Sequence, residues 1–270
     1  MEAKEKPCCR ISWYSPDGNF TKTILEKGLG VDKPKEYSVC RIFVDSISVS
    51  SFESSNVGNF SYPTRCWFQA ELGEGETVHD CLVDQCLQTM LSGEVCQVDA
   101  NNGTKFILHM ENFQNGKEPW EMDTNEKIER AIRDHEKGGK AYREGNIEMA
   151  ERRYSRALRF LVCTPERSVS EKITLLANMA ACDLKKGRLC EAEKRCTQIL
   201  EKEPGYIKAL YRRGVARTGM ADWKGARKDF DKLLHLDPSN KEAQRELNRV
   251  REGEKKEQVQ ISKALGKMFI

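Results

Sequence analysis

The chain has 270 residues, 39% hydrophobic and 32% charged, which is enough for two domains of ordinary size and too apolar for full disorder. Its 45 basic residues against 42 acidic ones leave a net charge of +3, a balance that argues against general nucleic-acid binding. No run approaches the roughly 18 apolar residues of a membrane span. The opening MEAKEKPCCRISWYS has no apolar signal core, so the expected location is the cytoplasm, with the nucleus left open as a second compartment.

Residues 1–118 read as strands, turns and one short helix. YSVCRIFVDSISV and CWFQAEL are rich in β-branched and aromatic residues and predict strands. In TVHDCLVDQCLQTML the apolar positions Val78, Leu82, Val83, Leu87 and Met90 recur at helical spacing. Gly93 ends that run, and EVCQV and TKFILHMENF predict two further strands. The expected fold is α+β, an antiparallel sheet wrapped on one helix. His79 and His109 have no partners at metal or catalytic spacing, and the four tryptophans, Trp13, Trp67, Trp120 and Trp223, are expected to be packing anchors.

The eleven cysteines include no CxxC pair and no Cys/His cluster, so neither a metal site nor a cofactor is expected. They read as reduced thiols, several of them buried as small apolar residues.

From residue 119 the pattern changes to helical repeats. Asn178 and Arg212, Ala192 and Ala226, and Pro204 and Pro238 are each 34 residues apart, the tetratricopeptide (TPR) period. Small residues fall where helices cross: Ala180 and Ala192 in one unit, Gly214 and Ala226 in the next. Pro204 and Pro238 close the second helix of each unit. An earlier unit carries Gly138, Tyr142, Gly145, Ala150, Tyr154 and Ala157, displaced by an insertion around Cys163, Thr164 and Pro165. Gly145 and Gly187 mark turns between paired helices. The expected all-α domain spans 119–256, with repeats near 131–164, 173–206 and 207–240 and a polar-faced capping helix from Asn240 to about Lys256. A separate tail helix is expected over 257–270; its basic charge with Leu265, Met268 and Phe269 also fits a calmodulin-type target.

First helices of TPR units line a concave groove. Lys208 and Arg212 share one helix face, and Asn178 holds the Arg212 slot one repeat earlier. Two cations and an amide converging in a groove suit a peptide carboxylate. These three residues resemble the dicarboxylate clamp of co-chaperone TPR domains, which holds the Glu-Glu-Val-Asp tail of the ninety- and seventy-kilodalton heat-shock chaperones. The resemblance implies a heat-shock chaperone tail as partner. The clamp pattern also wants Lys and Asn in the first repeat, where this chain has His135 and Gly139. Losing two charge-assisted contacts is expected to weaken the grip roughly a hundredfold, unless Lys137, Lys140 or a protonated His135 compensates.

The N-terminal half adds local strings: Leu72-Gly73-Glu74-Gly75-Glu76 before the helix, Leu87-Gln88-Thr89-Met90 with Gly93-Glu94 after it, and Phe52-Glu53-Ser54-Ser55. The junction Lys117-Glu118-Pro119-Trp120-Glu121-Met122 and the endings Lys263-Ala264-Leu265 and Lys267-Met268-Phe269 belong to the same set. Together they resemble the large FKBP-type immunophilins with a TPR domain, closest to the divergent FKBP-like branch. The resemblance makes residues 1–118 an FKBP-like domain in which Phe52 and Phe106 match the pocket aromatics. The pocket tyrosine is replaced by Val44, the floor tryptophan falls near Val83, the aspartate is Glu53, and only about Asp99 to Gly103 joins the last two strands.

A prolyl pocket without its floor and one wall does not pre-organise the ring. The expectation is therefore a non-catalytic, monomeric adaptor that docks on a chaperone tail and offers its N-terminal domain to an unidentified client. Two alternatives stay open, a weakly active peptidyl-prolyl cis-trans isomerase and a TPR scaffold for some other acidic tail.

Overall fold

The computed structural model describes residues 11–49, 60–162, 164 and 169–268, in two compact units divided between Met122 and Asp123. Phe52, Glu53, Cys163, Pro165 and Phe269 lie outside the described residues.

The first unit is a six-stranded antiparallel sheet of β1 (Ile11–Tyr14), β2 (Phe20–Glu26), β3 (Val39–Val49), β4 (Trp67–Glu71), β5 (Val95–Ala100) and β6 (Thr104–Gln114). The strand order is β1-β2-β5-β6-β3-β4. Period-two alternation decides which side is buried. Cys40, Ile42 and Val44 of β3, Phe106, Leu108 and Met110 of β6, and Cys96 and Val98 of β5 all face one core. Helix α1 (Val78–Leu87) closes that core with Leu82, Val83, Cys86 and Leu87. Val78, expected on the same apolar face, is instead exposed, because it sits in the first position after the Thr77 cap. Met90 is buried as expected but lies beyond the last helical turn.

Two acidic side chains on α1 organise the loops around it. Asp80 completes a capping box with Thr77 and accepts from the backbone N–H groups of Ser61, Tyr62, Glu76 and Thr77. Asp84 accepts from the Tyr62 hydroxyl at 2.8 Å and the Gly73 N–H at 3.0 Å. Burial pushes the Asp84 carboxyl up to about 6. On the opposite part of the core, Lys22 donates to Glu94 at 2.9 Å and to the Thr89 carbonyl at 3.1 Å, with both side chains buried. β1 and β2 carry no separate sequence expectation: both are short, and they join the sheet through pairing of β1 with β2 and of β2 with the distant β5.

The second unit consists of antiparallel helix pairs. They are α2 (Thr124–Arg143) with α3 (Ile147–Val162), α4 (Val169–Lys185) with α5 (Leu189–Lys202), and α6 (Ile207–Gly219) with α7 (Trp223–Leu236). α2 starts before the repeat phase suggests, because Asp123 and Glu126 form a capping box there. Helix α8 runs without a break from Lys241 to Met268, which corrects the expected split between a cap ending near Lys256 and a separate tail helix. Its Ala243, Leu247 and Val250 are buried in the core of the array, whereas Val259 and Ile261 are exposed.

Close helix approach explains the small residues. A Cβ on Gly138 would meet the Tyr154 ring at 2.7 Å, and one on Gly214 would meet the Phe230 ring at 2.7 Å. In the middle pair the same two slots hold Ala180 and Cys196, both fully buried, so a slightly larger residue faces a much smaller one. The turns between paired helices contain Gly145 and Gly187 at φ of 84° and 73°, and Ala221 at φ of 60° in the third pair. An alanine there carries the Cβ strain that glycine avoids.

Each pair is also joined by a buried ion pair. Asp134 of α2 accepts from Arg153 and Arg156 of α3, and Asp183 of α4 accepts from Arg195 of α5. In the third pair the polarity reverses: Arg213 and Arg217 of α6 donate to Asp229 of α7. Of the tryptophans, Trp13 packs against the sheet core and Trp223 against the array core and Gly253. Trp67 is exposed on the open sheet face and Trp120 is 75% exposed, so neither is the anchor expected.

Candidate functional site

Helices α2, α4 and α6 lie side by side, and two side-chain contacts join them. The Asn178 amide of α4 lies 3.0 Å from His135 Nε2 of α2. The Arg212 guanidinium of α6 donates to the carbonyl of Ala177, the residue before Asn178. All five candidate positions are therefore on three adjoining helices within one unit, among them His135, Asn178, Arg212 and, one turn before Arg212, the exposed Lys208. The fifth, Gly139, lies one turn beyond His135 on α2. A Cβ there would stand 3.5 Å from Arg143 Nη1 and 3.9 Å from Tyr154 Oη, ordinary contacts that admit a Cβ.

The cations of α6 divide into two groups. Arg213 and Arg217 are taken up by Asp229 and Glu193. Lys208 and Arg212 make no ion pair among the described residues, so their charge is available on the side shared with α4. Half-buried Arg212 is oriented by a backbone carbonyl, which leaves much of its five-donor fork for another acceptor.

His135 is disposed toward its neutral form in the free chain. Burial pulls its imidazole below the usual histidine value. The Asn178 N–H donates to Nε2, which fits the neutral ring with its proton on Nδ1. The free chain therefore favours the neutral ring over the protonated His135 expected to compensate. A pairing between His135 and Asn178 was not foreseen from the sequence, since one position is a divergence and the other a match.

Beside His135 is an apolar hollow of about 170 Å³, walled by Ile128, Ala131 and Ile132 of α2, Leu161 of α3 and Leu175 of α4. His135 of α2 and Ser170, Glu171 and Thr174 of α4 line it as well.

In the first unit, three of the five FKBP-type pocket positions are described, and all three are core residues. Val44, Val83 and Phe106 are fully buried. The Phe60 ring sits edge-on against Phe106 at 5.7 Å and beside His79 at 5.3 Å. His79 Nε2 is 3.0 Å from the Thr104 hydroxyl, and burial lowers its proton affinity. The connection between β5 and β6 is the three-residue turn 101–103, as short as the sequence indicates.

Comparison with known proteins sets these features in a family. No family model matches the chain. The mouse protein FK506-binding protein-like is 37% identical over 259 residues, covering 95% of this chain and 73% of its own length. The bovine protein peptidyl-prolyl cis-trans isomerase FKBP4 is 27% identical over 257 residues, covering 86% of this chain and 54% of its own length. Among solved structures, that of residues 1–211 of CG17282 superposes with a TM-score of 0.54 at 20% identity, covering 66% of this chain and 95% of that one, a likeness of fold.

Proposed function

This chain belongs to the FK506-binding protein-like family, and from that premise we propose that it is a non-catalytic immunophilin-like co-chaperone. Its TPR groove binds the acidic C-terminal tail of a heat-shock chaperone of the ninety-kilodalton class, and its FKBP-like unit engages a client protein. The observation that carries the reading is the hydrogen bond from Arg212 of α6 to the Ala177 carbonyl of α4, next to Asn178, with Lys208 one turn away, while the other α6 arginines are consumed in structural pairs. An amide N–H, a guanidinium and an ammonium on adjoining helices are suited to carboxylate oxygens.

The case against catalysis is the burial of Val44, Val83 and Phe106 among core side chains. Proline isomerisation needs an open apolar slot that holds a twisted amide whose barrier is about 18–20 kcal/mol, whereas these three side chains are fully buried. A weakly active isomerase is the second reading, favoured by the name of the bovine relative. A cis-trans assay on proline peptides separates the two: turnover above the uncatalysed rate rules out the non-catalytic reading.

The tail assignment is tested by titrating the chain with a peptide ending in Glu-Glu-Val-Asp and with its C-terminal amide. The acid should bind and the amide should bind at least tenfold more weakly, with Arg212→Ala and Lys208→Ala each reducing affinity for the acid. Equal binding of acid and amide would remove the carboxylate site and leave a scaffold for another partner.

A further inference from the structure

In the free chain His135 and Asn178 hold each other. The Asn178 N–H donates to Nε2 of the imidazole at 3.0 Å, so the amide that would serve a ligand is spent on its neighbour. Nε2 accepts that bond only while it carries no proton. A proton on Nε2 turns the facing pair into two donors, which cannot satisfy each other and together suit a carboxylate. Both side chains are half-buried, within reach of solvent and of a ligand in the groove.

We propose that His135 is a proton-operated contact of the carboxylate site: tail binding draws the Asn178 amide away from the imidazole and places a proton from solvent on Nε2, which then donates to the tail. The assignment rests on the tail reading given above and deepens it, because it makes docking stronger as pH falls. The divergence at position 135 thereby exchanges the permanent cation of the clamp pattern for a conditional one.

The groups around the ring leave it close to a balance that a ligand can tip. On α2, burial lowers the proton affinity of the imidazole and the adjacent Glu136 raises it, with burial prevailing in the free chain. Asp134, the preceding residue, is already taken up by Arg153 and Arg156. Arg143 lies near Gly139, one turn beyond His135. From α3 the Tyr154 ring stands 5.9 Å away, and burial pushes its hydroxyl up to about 12, so it stays neutral throughout. From α4, Glu171 lines the same hollow as His135. On α6, Arg212 is held at the Ala177 carbonyl beside Asn178. Two carboxylates and two guanidiniums therefore surround the site. A peptide ending in Asp brings two further carboxylates, which offset the cations and favour the charged ring.

A peptide ending in Glu-Glu-Val-Asp is titrated by calorimetry against the parent chain, His135→Gln and His135→Lys between pH 8 and pH 5.5, a range in which its carboxylates stay ionised. The parent is expected to bind roughly tenfold more tightly at pH 5.5 than at pH 8, the scale of one charge-assisted hydrogen bond. His135→Gln keeps a side-chain N–H that does not titrate, and His135→Lys stays charged, so both should bind with little dependence on pH. At pH 6 the parent should take up about half a proton per peptide, read from the difference in heat between Mes and bis-tris buffers, and His135→Gln none. A parent affinity that is flat or falls toward pH 5.5, or a His135→Gln profile that matches the parent, overturns the proton contact and leaves the tail reading standing. A parent that binds the peptide at neither pH overturns both. Equal melting temperatures of parent and His135→Gln at pH 5.5 and pH 8 show that the profiles do not come from unfolding.

Discussion

Replacing Gly214 by alanine tests the packing logic of the repeats. The added Cβ would lie 2.7 Å from Phe230 Cζ and 2.9 Å from both Cε atoms, closer than carbon atoms approach. Either the ring or helix α6 must shift, and overpacking of this kind costs about 1–3 kcal/mol. Alanine gains about 1 kcal/mol over glycine inside a helix, so the net change is a loss of up to about 2 kcal/mol. The compensation is already present in the middle pair, where Ala180 faces Cys196. Phe230→Cys alone should therefore cost about 3 kcal/mol or more through the cavity it leaves. Gly214→Ala added to Phe230→Cys should then be stabilising, because the clash is gone and the helix preference remains. Urea unfolding followed by helical circular dichroism measures all four chains as a double-mutant cycle. If Gly214→Ala has the same sign and size in both backgrounds, the ring contact does not determine the residue and the reasoning is wrong.

Other outcomes follow from the same structure. Lys22→Met should destabilise the first unit by about 3–5 kcal/mol in denaturant unfolding, since it leaves the Glu94 carboxylate buried with only the Leu91 N–H as a partner. Ala221→Gly should raise stability by about 1 kcal/mol by relieving a left-handed alanine, read as a higher melting temperature of the helical unit. His135 has a folded value below its unfolded one, so between the two the unfolded chain binds more protons. Its contribution to stability is complete above the unfolded value near 6.5 and is lost as pH falls toward the folded one. An NMR titration should find the His135 midpoint below that of an unstructured histidine, and a higher midpoint would refute the neutral assignment. His135→Lys with Gly139→Asn should tighten a Glu-Glu-Val-Asp peptide roughly a hundredfold by calorimetry, two charge-assisted bonds being restored.

The TPR array was legible because covalent and steric rules act at single positions. Proline ends a helix whatever surrounds it, and Gly138, Ala180 and Gly214 are small because a neighbouring helix lies against them. The short β5–β6 turn was legible for the same local reason. What could not be read were partners far apart in the chain. The Asp134–Arg153, Asp183–Arg195 and Asp229–Arg213 pairs use charges that look like any solvated helix residue, and the reversal in the third pair hides them from a repeat alignment. Lys22 meets Glu94 only because β2 pairs with β5. The candidate groove was found as a set of slots, but the hydrogen bond between His135 and Asn178, and the hollow beside it, depend on how α2 leans on α4.

The ion pairs and the groove contacts differ in kind. Within a helix pair, a buried carboxylate is clasped by arginine, a connection too costly to open without unfolding the pair. Across the groove floor, α2 and α4 share one imidazole–amide bond, and α4 and α6 one guanidinium–carbonyl bond. Each hairpin therefore moves as a stiff rung, and a visiting peptide can spread or draw together neighbouring rungs by exchanging these half-buried bonds for its own.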